Sequence, residues 1–387
     1  MMTAEPIVIA GAARTPMGAF QGALKGRTAV ELGATAIEAA LARAGLASEA
    51  VDELIMGCVL PAGLGQAPAR QAAMGAGLPQ SVPCSTLNKV CGSGMKAVML
   101  AHDLIRADSA RIVVAGGMES MSNAPYLLDK ARGGYRIGHG RVMDHMFLDG
   151  LEDAYDRGRA MGTFAEDCAE AYQFTRDAQD AYALESLSRA KAAISGGRFA
   201  EEVVAVDDVA DDEAPGRARP EKIPQLRPAF REGGTVTAAN SSSISDGAAA
   251  LVITSLSAAE AQGLTPLATI RGHASHAQAP NLFTTAPIVA IRKLLDRIGW
   301  DAGDVDLFEI NEAFAVVAMA AMRDLDLPHD KVNVNGGACA LGHPIGCSGA
   351  RIIVTLLSAL RDRGLTRGVA SLCIGGGEAT ALAVELL

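Results

Sequence analysis

Two periodicities alternate along the chain. Short apolar runs bounded by glycine or polar residues, Ile7–Ala10, Leu54–Val59, Cys84–Leu87 and Arg111–Ala115, read as strands. Between them, stretches of helical period predict helices over about Ala29–Ala44, Ala67–Ala76 and Ser93–Arg106. Strands alternating with amphipathic helices predict βαβ crossovers and a mainly parallel sheet with helices on its faces. From about Met121 to Ser243 the pattern breaks. Composition shifts toward Asp, Glu, Arg, Gly and Pro, with helices such as Phe174–Ser195 between loops. Strand-like sequence resumes at Gly247–Thr254 and Leu267–Gly272. The break therefore reads as an insertion closing over the first α/β unit, in preference to a separate middle domain.

The pattern also occurs twice. Ser93-Gly94, an apolar run to Arg106, and a strand ending in Gly116-Gly117-Met118-Glu119 are matched by Ser348-Gly349, a run to Arg361, and Gly368–Cys373 ending in Gly375-Gly376-Gly377-Glu378. Leu41, Arg43, Gly45, Val51 and Asp52 likewise match Leu295, Arg297, Gly299, Val305 and Asp306. Self-similarity over a hundred-odd residues predicts a duplicated α/β domain, not a short-period solenoid. The expected division is residues 1–120 with 244–265, an inserted loop domain 121–243, and residues 266–387.

Composition narrows the function classes. Nearly half of the 387 residues are apolar, aromatics are 4%, and 42 glycines are present, as expected of buried sheets with tight turns and close helix packing. A formal charge of −10 without a long basic stripe argues against nucleic acid as a partner. The apolar runs are interrupted by Gly, Asp or Lys, so no membrane span is expected. Met1–Gly11 reads as a first strand without the basic region of a signal peptide. Seven cysteines with no CxxC pair suit free thiols in a reducing, cytoplasmic compartment, not disulfides or a zinc site.

Three motifs carry candidate chemistry. In Asn88–Ala97, Cys91 stands between a strand and a helix start. Unpaired N–H groups and the helix dipole there favour thiolate. Gly92 and Gly94 leave room for a bulky acyl thioester. In Val334–Arg351, His343 lies just before the mirrored helix, where duplicated geometry places it across a pseudo-twofold axis from Cys91. Cys373 enters the same space ahead of Gly375-Gly376-Gly377, and Asn311 offers an amide able to fix a water or an oxyanion. Two cysteines and a histidine suit a reaction with two proton-transfer partners. Within the insertion, Arg217, Arg219, Lys222, Arg227 and Arg231 cluster, as do Lys130, Arg132, Arg136 and Arg141. Together they suit a phosphorylated ligand.

These motifs give the chain its resemblance to a known family. Asn88–Ala97, Gly116–Ser122, Thr237–Ala250, Asn311–Ala315, Gly342–Arg351 and Cys373–Gly377 resemble the thiolases, in order and over essentially the whole length, and most of all the short-chain acetyl-CoA acetyltransferases. The resemblance implies a five-layered αβαβα core of two duplicated α/β domains with an inserted loop domain, in homodimers or homotetramers. It implies coenzyme A thioesters as substrates, with no cofactor and no metal. Cys91 would take the acyl group and His343 would activate it. Cys373 would remove the α-proton of the second acyl-CoA. His343 and a water held by Asn311 would stabilise the enolate oxygen, and the N–H groups of Cys91 and Gly375 would hold the tetrahedral oxyanion. Ser242 would lie near the pantetheine and Met161 would line the acyl pocket. Phe230, Phe314, Arg217, Arg219 and Lys222 complete the expected substrate and CoA contacts.

Two segments depart from the family pattern. Ser243 and Ser245 stand where glycine and asparagine are usual, and Ala160-Met161-Gly162 lacks the usual histidine. A 3-ketoacyl synthase, with a Cys-His-His set, is disfavoured by Cys373. A broader-chain degradative thiolase would differ in pocket depth. A non-catalytic acyl-CoA carrier would be expected to lose the nucleophile or base, and both are present.

Overall fold

The computed structural model describes residues 5–387, so the first four residues of the leading segment lie outside the described residues. In the first half, strands β1 (Ile7–Arg14), β2 (Glu53–Gly57), β3 (Cys84–Leu87), β4 (Ile112–Ser120) and β5 (Ser245–Ser255) lie in the order β3-β2-β4-β5-β1. In the second, β6 (Ala268–Ala277), β7 (Leu307–Ile310), β8 (Arg367–Ile374) and β9 (Glu378–Leu386) lie in the order β7-β8-β9-β6. A bridge from Phe308 to Val332 stands where the partner of β3 would run. The two halves thus repeat one strand order and meet at β1 and β6, where Val8 pairs with Thr269 and Ile9 with Ala268.

The helices of eight residues or more are α1 (Ala29–Ala44), α2 (Pro68–Gly75), α3 (Ser93–Arg106), α4 (Gly162–Tyr172), α5 (Arg176–Ser195), α6 (Ala286–Ile298), α7 (Ala315–Asp324) and α8 (Ser348–Arg363). Three apolar clusters separate the layers. Leu32, Ile37 and Ala72 of α1 and α2 pack on Val8, Leu54 and Val252 of the first sheet. Ile291 and Leu294 of α6 and Val317 of α7 pack on Phe308, Val369 and Ala381 of the second. Between the sheets, Met95 and Val98 of α3 meet Ile352 and Leu356 of α8, with Leu251 and Leu382 from either side. The architecture is αβαβα. No helix among the described residues is long and apolar enough to cross a membrane.

Local signals explain the element ends. Thr28 caps α1 through a reciprocal pair with Glu31, and Gly45 ends it at φ 67°. Gly299, its counterpart, ends α6 at φ 70°. The matched aspartates play one part twice. Asp52 accepts the N–H groups of Arg111 and Ile112, and Asp306 those of Thr366 and Arg367, all at 2.8 to 2.9 Å. Thr175 accepts from the Ala178 N–H, so α5 begins at Arg176 and not at Phe174.

The expected mainly parallel sheet is corrected. Only β2–β3, β2–β4 and β7–β8 among these strands run parallel, while β4–β5, β5–β1, β8–β9, β9–β6 and β1–β6 run antiparallel. Strand β5 enters after the insertion from the far end of the sheet, and β8 and β9 form a hairpin through Gly375–Gly377. Apolar periodicity locates strands but says nothing of their direction.

Two features fix the centre of the molecule. Helices α3 and α8 cross where a Cβ on Gly94 would lie 2.7 Å from the Ala350 nitrogen, and one on Gly349 would lie 2.4 Å from that of Met95. Glycine is therefore required at both positions of this symmetric contact. The insertion is tethered by Arg14, fully buried, whose Nε meets Glu202 at 2.6 Å and whose Nη1 meets Asp212 at 2.7 Å. Thr355 of α8 also donates to Glu202. Removing one partner of such a buried pair costs roughly 3–5 kcal/mol.

Candidate active site

Two tight bends, one from each half, carry the candidate residues. The first follows β3. Val90 holds φ at 47°, a left-handed conformation that costs a β-branched residue on the order of 1–3 kcal/mol. Its N–H donates to Asn88 Oδ1 at 2.8 Å. Ser93 Oγ accepts the Lys89 N–H at 2.8 Å and donates to the Val90 carbonyl at 2.6 Å. Cys91 leaves this bend directly ahead of α3. Lys89 pairs with Glu378, which ties the bend to the Gly375–Gly377 turn.

The Cys91 sulfur is approached by two backbone donors, the N–H of Gly375 and its own. Burial nevertheless dominates and pushes the thiol up to about 11, with the Glu119 carboxyl acting in the same direction. Burial thus works against the thiolate that the helix end favours. The dipole argument omitted the cost of removing a charged sulfur from water. Cys373, at the end of β8, is buried with its thiol raised well above the ordinary range, first by burial and then by Cys91. The two sulfurs lie near enough for one to oppose ionisation of the other.

The second bend precedes α8 and holds His343, which is 6% exposed. Its Nδ1 lies 2.5 Å from Ser348 Oγ, and that hydroxyl lies 2.9 Å from the Pro344 carbonyl. A carbonyl only accepts, so the single hydroxyl proton goes to Pro344 and the oxygen accepts from Nδ1–H. Nε2 is left with its lone pair. Burial, aided by the charge of Arg351, pushes the imidazole down to about 3. The His343 N–H donates to the Ser243 carbonyl at 3.0 Å, and the Ser243 and Ser245 hydroxyls stand 3.2 Å apart. The two unusual serines thus brace the histidine.

Asn311, just beyond β7, points Nδ2 to within 3.5 Å of the imidazole nitrogens. Arg351 Nη2 approaches Asn311 Oδ1 at 3.4 Å, which fixes the amide's orientation. The guanidinium is buried beside Glu309 at 3.5 Å. Burial pushes that carboxyl up to about 8 against the pull of Arg351. Glu119 joins the halves by accepting the N–H groups of Val59, Leu60 and Gly346 at 2.9 to 3.1 Å. No hydrogen bond joins Cys91 and His343 among the described residues. Ile345, two residues beyond His343, shares an apolar cluster with Cys91.

The remaining candidates fall into two groups. Met161 leads into α4 with its Cε 3.4 Å from where a Cβ on Gly375 would sit. Phe230 meets Phe314 edge-on at 5.9 Å, and both lie in one apolar cluster with Met161 and Cys373. Ser242 places its N–H and Oγ on the Ala313 carbonyl, both at 3.0 Å. Arg217, Arg219 and Lys222 border a cleft of about 320 Å³ with Leu187, Ser243 and Cys339. Arg217 also pairs with Glu213 at 2.9 Å. Arg231 does not join them, being turned to Glu166, Asp167 and Glu170. Sequence reasoning assigned no role to Ser348, Arg351 or Glu119. For Ser348 a signal existed, since it follows His343 by five residues at a helix start.

The same ordered parts occur in known proteins. Residues 7–257 match the thiolase N-terminal domain and residues 264–386 the thiolase C-terminal domain. The chain belongs to the thiolase family. Among thiolases, acetyl-CoA acetyltransferase 2 of Arabidopsis thaliana is 52% identical over 98% of the chain and 97% of that protein. The acetyl-CoA acetyltransferase of Escherichia coli K12 is 52% identical over 98% and 99%. The crystal structure of Acat5 thiolase from Ascaris suum in complex with coenzyme A shares 43% identity at a TM-score of 0.95, covering 99% of this chain and all of that one. The acetyl-CoA acetyltransferase of Bacillus anthracis superposes at 0.96 with 42% identity over the full length of both.

Proposed function

We propose that this thiolase is an acetyl-CoA C-acetyltransferase, catalysing reversible Claisen condensation of two acetyl-CoA to acetoacetyl-CoA and CoA through an acyl-cysteine. The observation that carries the reading is the convergence of the Gly375 and Cys91 N–H groups on the Cys91 sulfur. Donors fixed there are in place for the oxyanion that forms when the sulfur adds to a thioester carbonyl.

In the proposed sequence each proton has a destination. Cys91 attacks the first acetyl-CoA, and its proton passes to the free Nε2 of His343. The C–S bond to CoA breaks, and the departing thiolate takes the Cys373 proton. Cys373, now a thiolate, removes the α-proton of the second acetyl-CoA. His343 Nε2–H and Asn311 stabilise the enolate oxygen. The enolate carbon attacks the acyl carbonyl, the bond to Cys91 breaks, and His343 returns its proton to that sulfur. Arg217, Arg219 and Lys222 bind the CoA phosphates at their cleft, Ser242 contacts the pantetheine, and Met161 with Phe230 and Phe314 closes the acyl end.

Assembly as a homodimer or homotetramer is supported by the edge strand β3, which leaves Ser85 and Thr86 exposed, and by the exposed Tyr126, Leu128, Ile137 and Val142. Seven free cysteines suit a cytoplasmic location. The decisive experiment is incubation with acetyl-CoA, acid quench and peptide mapping by mass spectrometry. The acetyl group is expected on Cys91. Acetylation of Cys373 alone would reverse the two roles.

A further inference from the structure

We propose that His102, Asp103 and His273 form a binding site for a divalent transition-metal ion of the zinc class, remote from the reacting sulfurs. His102 and Asp103 lie on α3 and His273 on β6, so the site spans the two halves. Asp103 Oδ1 is 3.1 Å from His102 Nδ1 and 2.9 Å from His273 Nε2. One ligand atom from each of the three lies within 4.8 Å of the others. Zinc–ligand bonds of roughly 2.0–2.1 Å in a tetrahedron place neighbouring ligand atoms about 3.3 Å apart. The two short separations are therefore already close to the edges of such a site, and small side-chain rotations complete it. Two imidazoles and a carboxylate are the donor set that suits zinc and its neighbours. The imidazoles are largely shielded, at 12% and 13% exposure, while Asp103 is half exposed and faces a cavity of about 550 Å³. That opening leaves a fourth position for water or an anion.

The duplication supplies an internal control. A second cavity, of about 470 Å³, is lined by Pro266, Leu267, Leu357, Ser358 and Arg361. Leu267, Leu357, Ser358 and Arg361 correspond under the internal repeat to Pro6, His102, Asp103 and Arg106 of the first. The bulges at Ala10 of β1 and Arg271 of β6 match His273 to Ala12, which also lines the second cavity. The same architecture thus stands with leucine, serine and alanine at the three positions, so packing alone does not call for a His-Asp-His set. Three arginines also border the first cavity and oppose a cation. Each is engaged: Arg106 with the Glu5 carbonyl, Arg271 with Glu385 and Arg297 with the His273 carbonyl. Their charge favours an anion as the fourth ligand. Cysteine spacing could not reveal this site, because its ligands are separated by some 170 residues.

The test uses the full-length protein, stripped with chelator and titrated with zinc chloride by calorimetry. His102→Leu and His273→Ala carry the residues that the other copy uses, and neither touches the candidate catalytic groups. Unchanged thiolysis activity of the metal-free variants confirms their fold. The wild type is expected to bind one zinc more than either variant, or to bind it at least about tenfold more tightly. Equal stoichiometry and affinity in all three proteins would overturn the site. Titration with cobalt(II) separates it from capture by the free thiols. A spectrum without thiolate charge-transfer bands, lost in both variants, supports the assignment, and thiolate bands alone defeat it.

Discussion

His343 donates its Nδ1–H to Ser348 Oγ across 2.5 Å, and the serine hydroxyl donates in turn to the Pro344 carbonyl. The relay sets the tautomer of the imidazole, and through it which nitrogen is free to take a proton. Ser348→Ala is expected to lower kcat by about 10- to 100-fold, within the range that general acid–base groups contribute, with little change in KM. Steady-state thiolysis of acetoacetyl-CoA reads both. A variant with wild-type kcat would show that Ser348 merely packs.

The raised thiol of Cys91 has a kinetic signature. Alkylation by iodoacetamide needs thiolate, so with the thiol near 11 the inactivation rate of the free protein should still be climbing beyond pH 9. Levelling near neutrality would mean that a thiolate–imidazolium pair exists before substrate arrives.

His343 also shapes acid stability. The folded protein protonates this imidazole only near pH 3, whereas the unfolded chain does so near its ordinary value. Between these limits the unfolded state binds more protons, so stability is present above the ordinary value and is lost as pH falls toward 3. His343→Asn should therefore show a shallower decline of Tm between pH 6.5 and 4 than the wild type. Parallel declines would remove His343 as a source of acid lability.

Changing Arg217, Arg219 and Lys222 together to alanine should raise the KM for CoA by about tenfold at low salt, where exposed charges act most strongly. The loss in kcat should be smaller and the salt dependence of KM should flatten. An unaltered KM would return all three to the solvated surface.

Met161→Ala should raise activity on six- and eight-carbon 3-ketoacyl-CoAs relative to acetoacetyl-CoA. Each methylene accommodated is worth ~0.8 kcal/mol, roughly fourfold. Methionine is flexible, so discrimination and not a sharp cutoff is expected in the wild type. Wild-type cleavage of an eight- or ten-carbon 3-ketoacyl-CoA as efficiently as acetoacetyl-CoA would favour the broader-chain reading.

The sequence was most legible where local chemistry decides. Capping by Thr28 and Gly45 sets α1 where periodicity put it, and the matched Asp52 and Asp306 do hold equivalent backbone groups. Strand direction was not legible, because β5 returns antiparallel only by virtue of where the insertion ends. The state of the Cys91 thiol was not legible either, because helix-end electrostatics can be read from sequence and desolvation cannot. His102, Asp103 and His273 meet only through the contact between the halves. Ser348 was visible in its motif, but its role required the carbonyl of Pro344.

The crossing at Gly94 and Gly349 bears on how such a protein arose. Its symmetry is that of two equal chains meeting back to back, so an ancestral homodimer would have carried identical loops at the heads of both central helices. Gene fusion releases that constraint. Here one loop carries Cys91 and the other His343, so neither half holds both. Separately expressed halves should consequently be inert alone and regain turnover only when they reassociate.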